Sequence, residues 1–467
     1  MPHATPWSAA LRRYQILNPL DSMFYMGDVL RRGYGLPGVN ILVILELDGR
    51  LDIEGFRQAL RAVHRLYPAT NARLERSTVT GRPRWRLGDR PDAAVALESQ
   101  QLARPTQEEL HSQIERLLRR PLDAVNASPL QFVLFRGLPA GDVLAMRWPH
   151  FLMDARGGMI ILEEIQRLYE EKPEPAALES VGDEQRDDME KLLKDMGPGR
   201  RLRAIFKGNR SDQPRDWEEL HLGSGPVKYD IGGLHFALRK LDRDQTRVMR
   251  DISMRICGFA RVGDFVRASA IGALQKTLRP PRLANLGYLT MQLVDNRKKR
   301  QRGPVCRNFF SALPVHIPTT VADDRRATAD IISEATGRAL SSGLIVERYA
   351  AMDRLSKTPV SVLAGLTRMG MRSGPRSFLA RGLANSPSLP MGFMGAFSRQ
   401  LPEFCGAGLR DSFGMGVILP HEGFGLNVTT PSDSARLNIT ATYFEPHVSK
   451  STIMEFLDHF VEGLLTD

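Results

Sequence analysis

Apolar residues along this chain alternate between short continuous runs and stripes at helical spacing. Residues 40–47 (NILVILEL) form an apolar run of strand length. Asp52 then stands where a helix cap belongs, ahead of Phe56, Leu60, Val63 and Leu66 on one helical face. Residues 83–87 (PRWRL) predict another strand. Thr106 and Glu109 have the spacing of a capping box for a helix that carries Leu110, Ile114 and Leu117. Residues 130–136 (LQFVLFR) and 142–148 (DVLAMRW) predict two strands joined by a short Gly/Pro turn, and a helix from Gly158 to about Glu170 follows.

The alternation stops at residues 172–230, which are acidic first (GDEQRDDME) and basic afterwards (GRRLRAIFKGNR). This stretch reads as a charged crossover with some helix inside it. The pattern then resumes with helices over 242–256 and 261–278, a strand near 286–294, a basic loop, a strand over 309–317 and a helix near 325–340. Residues 355–398, rich in Gly, Ser, Met and Arg, fit neither period. Strands near 415–419, 424–430 and 436–444 lead to a last helix, capped by Ser449 and carrying Ile453, Phe456, Phe460 and Leu464. No internal repeat of solenoid or propeller type is present.

A chain of 467 residues exceeds what one hydrophobic core usually serves, so two units of roughly 200 residues each are expected. Residues 1–171 form one lobe in this reading and 231–467 the other, with a segment near 380–430 of the second reaching over to the first. Hydrophobic residues at 42% and charged residues at 25% suit a soluble globular protein. The longest clear apolar run, Ile41 to Leu45, is far short of the roughly 20 residues a membrane-spanning helix needs. The first residues put no apolar stretch behind their charges, so no secretory signal is expected. Cys257, Cys306 and Cys405 lie too far apart for a zinc knuckle or a disulfide framework and are expected to be small buried side chains; no metal is expected, and the cytoplasm suits this composition. Lys plus Arg exceeds Asp plus Glu by 64 to 53, a net charge of +11, which favours anionic partners. Nucleic acid, an anionic membrane face, coenzyme A phosphates and an acidic carrier protein all satisfy that charge. No nucleic-acid fold signature accompanies it, and the aromatic residues are not interleaved with the basic run at 297–302, so nucleic acid ranks last.

The richest chemistry lies in Arg147-Trp148-Pro149-His150-Phe151-Leu152-Met153-Asp154-Ala155-Arg156-Gly157-Gly158. A strand ends at a histidine, an aspartate follows four residues later, and glycines lead into a helix. A strand end is a rigid mount, and an imidazole titrates near neutrality, so His150 can take a proton from a hydroxyl or amine. Among ten histidines, one such spacing arises by chance about half the time, so the context carries the argument.

That context resembles the chloramphenicol-acetyltransferase-like superfamily, in which a His-x-x-x-Asp motif follows a strand and precedes a helix. Its members include peptide-synthetase condensation domains, plant-type acyl-coenzyme A transferases of the BAHD family, and wax-ester synthases. Leu47-Asp48-Gly49-Arg50-Leu51-Asp52 with Tyr67-Pro68 resembles their first strand and helix, and the run from Pro121-Leu122-Asp123 through Pro129-Leu130 resembles the approach to the motif. Val294-Asp295-Asn296-Arg297 with Arg307-Asn308-Phe309-Phe310 is similar to the plant-type Val-Asp-x-Arg…Gly-Asn segment. Asp411-Ser412-Phe413-Gly414-Met415-Gly416 is similar to Asp-Phe-Gly-Trp-Gly, with Met for Trp and one inserted Ser. Pro149 replaces the first histidine of the doubled motif, which argues against a standard peptide-bond-forming condensation domain, and Ala155 replaces a glycine.

The resemblance implies two α/β lobes, each a mixed sheet flanked by helices, with an active-site tunnel between them. It implies acyl transfer from a thioester to a hydroxyl or amine, the hydroxyl slightly favoured, with His150 as general base. Asp154, braced by Arg297, would support the catalytic loop together with Gly157 and Gly158. Asn308 and Phe413, Gly414, Met415 and Gly416 would border the tunnel or oxyanion site. Acyl-coenzyme A or acyl-phosphopantetheine would be the co-substrate, with no permanently bound cofactor, and a monomer is expected. Lys298, Lys299, Arg300 and Arg302 suit phosphates or the acidic face of an acyl carrier protein, or equally a solvated loop. Arg368, Arg372, Arg376 and Arg381, set among apolar residues, suit a lid over an acyl tunnel, a segment resting on a membrane surface, or a plain helix with its arginines in water. A catalytically degenerate docking module for a carrier protein is the competing reading.

Overall fold

One strand from the second half of the chain pairs inside the sheet of the first half. The computed structural model describes residues 14–77, 81–87, 97–174, 178, 180, 188–197, 199, 217–223, 233–258, 261–297, 304–362, 365, 387–393, 401–416, 423–430 and 435–467. The first half runs β1 (Tyr14–Ile16), α1 (Pro19–Arg32), β2 (Asn40–Asp48), α2 (Ile53–Leu66), β3 (Arg73–Arg76), β4 (Pro83–Arg86), β5 (Leu97–Gln101), α3 (Gln107–Arg119), β6 (Gln131–Arg136), β7 (Val143–Pro149) and α4 (Ala155–Glu171). The crossover holds α5 (Asp188–Asp195) and β8 (Glu218–Glu219). Then come β9 (Leu234–Leu241), α6 (Arg243–Cys257), α7 (Val262–Leu278), β10 (Leu286–Asp295), β11 (Phe310–Pro318), α8 (Arg325–Ser342) and α9 (Leu344–Ser356). The chain closes with β12 (Met391–Phe393), β13 (Glu403–Phe404), β14 (Ala407–Gly416), β15 (Phe424–Thr429), β16 (Leu437–Phe444) and α10 (Lys450–Leu465).

The largest sheet has six strands in the order β13-β14-β2-β7-β6-β5. Its central run of apolar residues is explained by burial on both faces. Ile41, Val43, Leu45 and Leu47 of β2 pack with Phe56, Leu60 and Val63 of α2 and Ile161 and Ile165 of α4. Leu42 and Ile44 turn the other way, toward Leu110, Ile114 and Leu117 of α3. Asp52 caps α2 by accepting from the Gly55 amide at 3.0 Å. Thr106 caps α3 from the Glu109 amide at 3.3 Å, while the Glu109 carboxylate accepts from Gln113 instead of closing the box. β1, β4 and β3 make a separate small sheet.

In the second half, β12-β15-β16-β9 and β11-β10-β8 form two sheets, linked where the Leu389 amide donates to the Leu289 carbonyl at 3.2 Å. Helix α7, with Phe265, Val266, Ile271 and Leu274 buried, packs with Ile453, Phe456 and Phe460 of α10 in the second core. Cys257, Cys306 and Cys405 are buried.

Several expectations need correction. The strand sought near 415–419 is β14, which ends at Gly416; residues 417–420 lie outside the described ones. Helix α4 starts at Ala155, three residues before Gly158, because Asp154 is its cap. Helices α1 and α9 carry no stripe that the sequence reading detects. Among the described residues, no helix is long and apolar enough to cross a membrane.

Candidate active site

β7 delivers His150 to the end of the large sheet. The His150 amide donates to the Val39 carbonyl at 2.8 Å, and the buried Trp148 indole donates to the Met153 carbonyl at 2.9 Å, which closes the turn between β7 and α4. The imidazole is half-buried, and elements from both halves surround it. Phe24 of α1 stacks on it with centroids 3.6 Å apart and planes 8° from parallel. Phe310 of β11 lies tilted at 6.4 Å. Nδ1 is buried, and among the described residues no hydrogen bond of ordinary geometry reaches it. Desolvation by these walls pushes the imidazole pKa down to about 4, against a weaker upward pull from its own carbonyl, the Asp154 charge and the Asn308 side chain.

Asp154 faces away from that ring. Its Oδ1 accepts from the Gly157 amide at 2.7 Å and from Arg297 Nη2 at 3.0 Å. Its Oδ2 accepts from Arg297 Nη1 at 3.0 Å and from the Phe309 amide at 2.9 Å. Arg297 also donates to the Pro304 carbonyl at 3.0 Å and to Asp295 at 3.1 Å, and the two carboxylates hold its pKa up against burial. Gly157 and Gly158 make the close approach possible. A Cβ on Gly157 would lie 2.3 Å from the Val305 carbonyl oxygen, and one on Gly158 2.4 Å from the Trp148 ring.

Asn308 links three elements. Its Nδ2 donates to the His150 carbonyl at 2.6 Å and to Asp21 Oδ1 at 2.7 Å. Its amide donates to the same Asp21 oxygen at 2.8 Å, and its carbonyl accepts from Asn18 Nδ2 at 2.9 Å. These side-chain hydrogens are committed, so Asn308 is a brace and not an open oxyanion donor. Asp21, fully buried, has its pKa raised to about 7 by desolvation, opposed by the Asn308 amide and the Arg307 charge.

Asp21 and Phe24 are absent from the sequence reading. Their one local signal is Asn18-Pro19-Leu20-Asp21, which forms a reciprocal capping box with Pro at the first helical position.

The remaining expected residues fall elsewhere. Phe413 and Met415 project into the core with Leu42 and Ile44. The Gly414 amide donates to Thr429 Oγ1 at 3.2 Å, so this donor is already used. Gly416 ends β14 opposite Ile41, two strands from the His150 mount. Lys298, Lys299, Arg300 and Arg302 lie outside the described residues, as do Arg368, Arg372, Arg376 and Arg381.

The sequence model of the condensation-domain family matches residues 37–181, the stretch from β2 to just past α4 that carries His150. The fold is shared with solved condensation and epimerization domains. The first condensation domain of the CDA synthetase is 15% identical with a TM-score of 0.70, covering 97% of this chain and 95% of that one. The epimerization domain from the third module of tyrocidine synthetase B is 15% identical with a TM-score of 0.63, over 97% and 95%. A mutant starter condensation domain of rhizomide synthetase in complex with C8-CoA is 15% identical with a TM-score of 0.63, over 98% and 95%. No curated protein matches the sequence.

Proposed function

We propose that the protein transfers an acyl group from a thioester, coenzyme A or carrier-bound, to a hydroxyl or amine, with His150 as general base. One observation carries this reading. A part-exposed imidazole, kept neutral by desolvation, sits where both halves of the chain contribute its walls. A neutral ring is the form that accepts a proton. His150 takes the proton of the acceptor O–H or N–H as that atom attacks the thioester carbonyl carbon. The C=O electron pair moves onto oxygen. Collapse of the tetrahedral intermediate breaks the C–S bond, and the imidazolium returns its proton to the departing thiolate. Asp154, with both oxygens engaged, shapes the loop and takes no proton. The C8-CoA complex of the starter condensation domain supports a coenzyme A thioester as donor.

The docking-module reading draws on Pro149 and Ala155, which depart from the doubled motif. Thiol release from acyl-coenzyme A donors of graded length, offered with small alcohols and amines, separates the two. His150→Ala is expected to lower turnover about 10²–10⁴-fold. Equal turnover in both proteins overturns the general-base role, and no turnover in either favours docking.

A further inference from the structure

We propose that Phe24 is the positioning residue that fixes the plane of the His150 imidazole and keeps water from one of its faces. This inference rests on the reading of His150 as a base. In a serine-type triad a carboxylate orients the histidine. Here Asp154 is fully committed to Gly157, Arg297 and Phe309, and among the described residues no carboxylate bonds the ring. Orientation must come from another contact, and among the described residues the parallel Phe24 ring at 3.6 Å is the tightest ring contact made by His150.

The mount of Phe24 is itself rigid. Helix α1 is tied at its start by the Asn18/Asp21 box, and Asn308 bonds both box residues from the second half. Tyr25, the next residue, packs edge-on to Phe151 at 5.3 Å. Met26 and Leu30 seat the following turn against Leu355 and Val360. Phe24 is therefore fixed by contacts to both halves, and so is the plane it imposes. Asp154, backed by Arg297 on the side of α4, is the charge that acts on the ring, and the Asp21 carboxyl lies beyond Asn308. Replacing Phe24 removes none of these groups.

The test is a titration of His150 by NMR in the full chain with ¹³C-labelled histidine, its signal assigned by loss in His150→Gln. It is paired with steady-state kinetics. Phe24→Ala is expected to raise the His150 pKa from about 4 toward the ordinary 6.5 and to lower kcat about 10–100-fold, with KM within about twofold. Phe24→Tyr, which keeps the flat face, is expected to retain both values near wild type. A role in stability alone moves the melting temperature and leaves the titration in place. An unchanged titration in folded Phe24→Ala overturns the inference. If wild type turns over no thioester, the acyl-transfer reading fails, while the titration still decides what Phe24 does.

Discussion

Arg297 grips Asp154 through two hydrogen bonds of 3.0 Å, although the two residues are 143 positions apart. The fork geometry uses both carboxylate oxygens, and each side chain is less than a tenth exposed. Removing one partner leaves a buried charge without its counterpart. Arg297→Ala is expected to lose about 3–5 kcal/mol of stability in chemical denaturation. Arg297→Lys, with the charge but without the fork, is expected to recover only part of it. A loss under about 1 kcal/mol for the alanine variant would place the pair among ordinary surface bridges.

The depressed pKa of His150 fixes the acid side of the rate profile. The base must be neutral, and its folded pKa is about 4. The kcat/KM value is expected to be flat with respect to this group above about pH 5 and to fall about tenfold per pH unit below 4. An acid limb centred near 6.5 would show that the ring is solvated in the working enzyme.

Gly157 lets the backbone of the second half lie against the first turn of α4. Gly157→Ala would place a methyl group 2.3 Å from the Val305 carbonyl oxygen, a backbone atom that cannot swing aside. The expected cost is about 1–3 kcal/mol, read by thermal or urea unfolding, together with a lower kcat as the Asp154–Arg297 contact is displaced. Wild-type stability in this variant would mean that the Val305 segment yields freely.

Asp21 links stability to pH in the direction opposite to a paired carboxylate. Its folded pKa of about 7 lies above the unfolded value near 3.8, so the folded chain holds this proton more tightly. The stabilising contribution is complete below about pH 4 and is lost as pH rises toward 7. Buried histidines such as His64 and His150 act the other way, so the difference between wild type and Asp21→Asn isolates the effect. Across pH 4 to 7 the stability of wild type is expected to fall relative to the variant. A flat difference would count against a protonated Asp21.

The sequence reading reached what depends on local periodicity. Strand β2, helix α2 with its Asp52 cap and helix α10 with its Ser449 cap follow directly from apolar spacing. The contact of Arg297 with Asp154 is implied by the resemblance of residues 294–297 to the plant-type segment. Helix α1 escaped because its buried residues include Asp21, Ser22, Asp28 and Arg31, so no apolar stripe marks it. Asp21 is tolerated because its partner arrives from afar: Asn308 bonds it across 287 residues. Strand β14 was misplaced for a related reason. Asp411 and Ser412 look unlike a buried strand, yet Lys240, Asn438 and the Ser412 amide all bond the Asp411 carboxylate. Periodicity records what one element buries, and it has no access to a charge satisfied from elsewhere.

The pairing of β14 with β2 sets the order in which the molecule can be assembled. Residues 40–48 of β2 emerge from the ribosome long before residues 407–416 of β14, so their sheet keeps an open edge while most of the chain is still being made. Such long-range pairing slows folding. It also makes the large sheet of the first half among the last to close, and a nascent chain that stalls after α4 presents an apolar strand with no neighbour on one side.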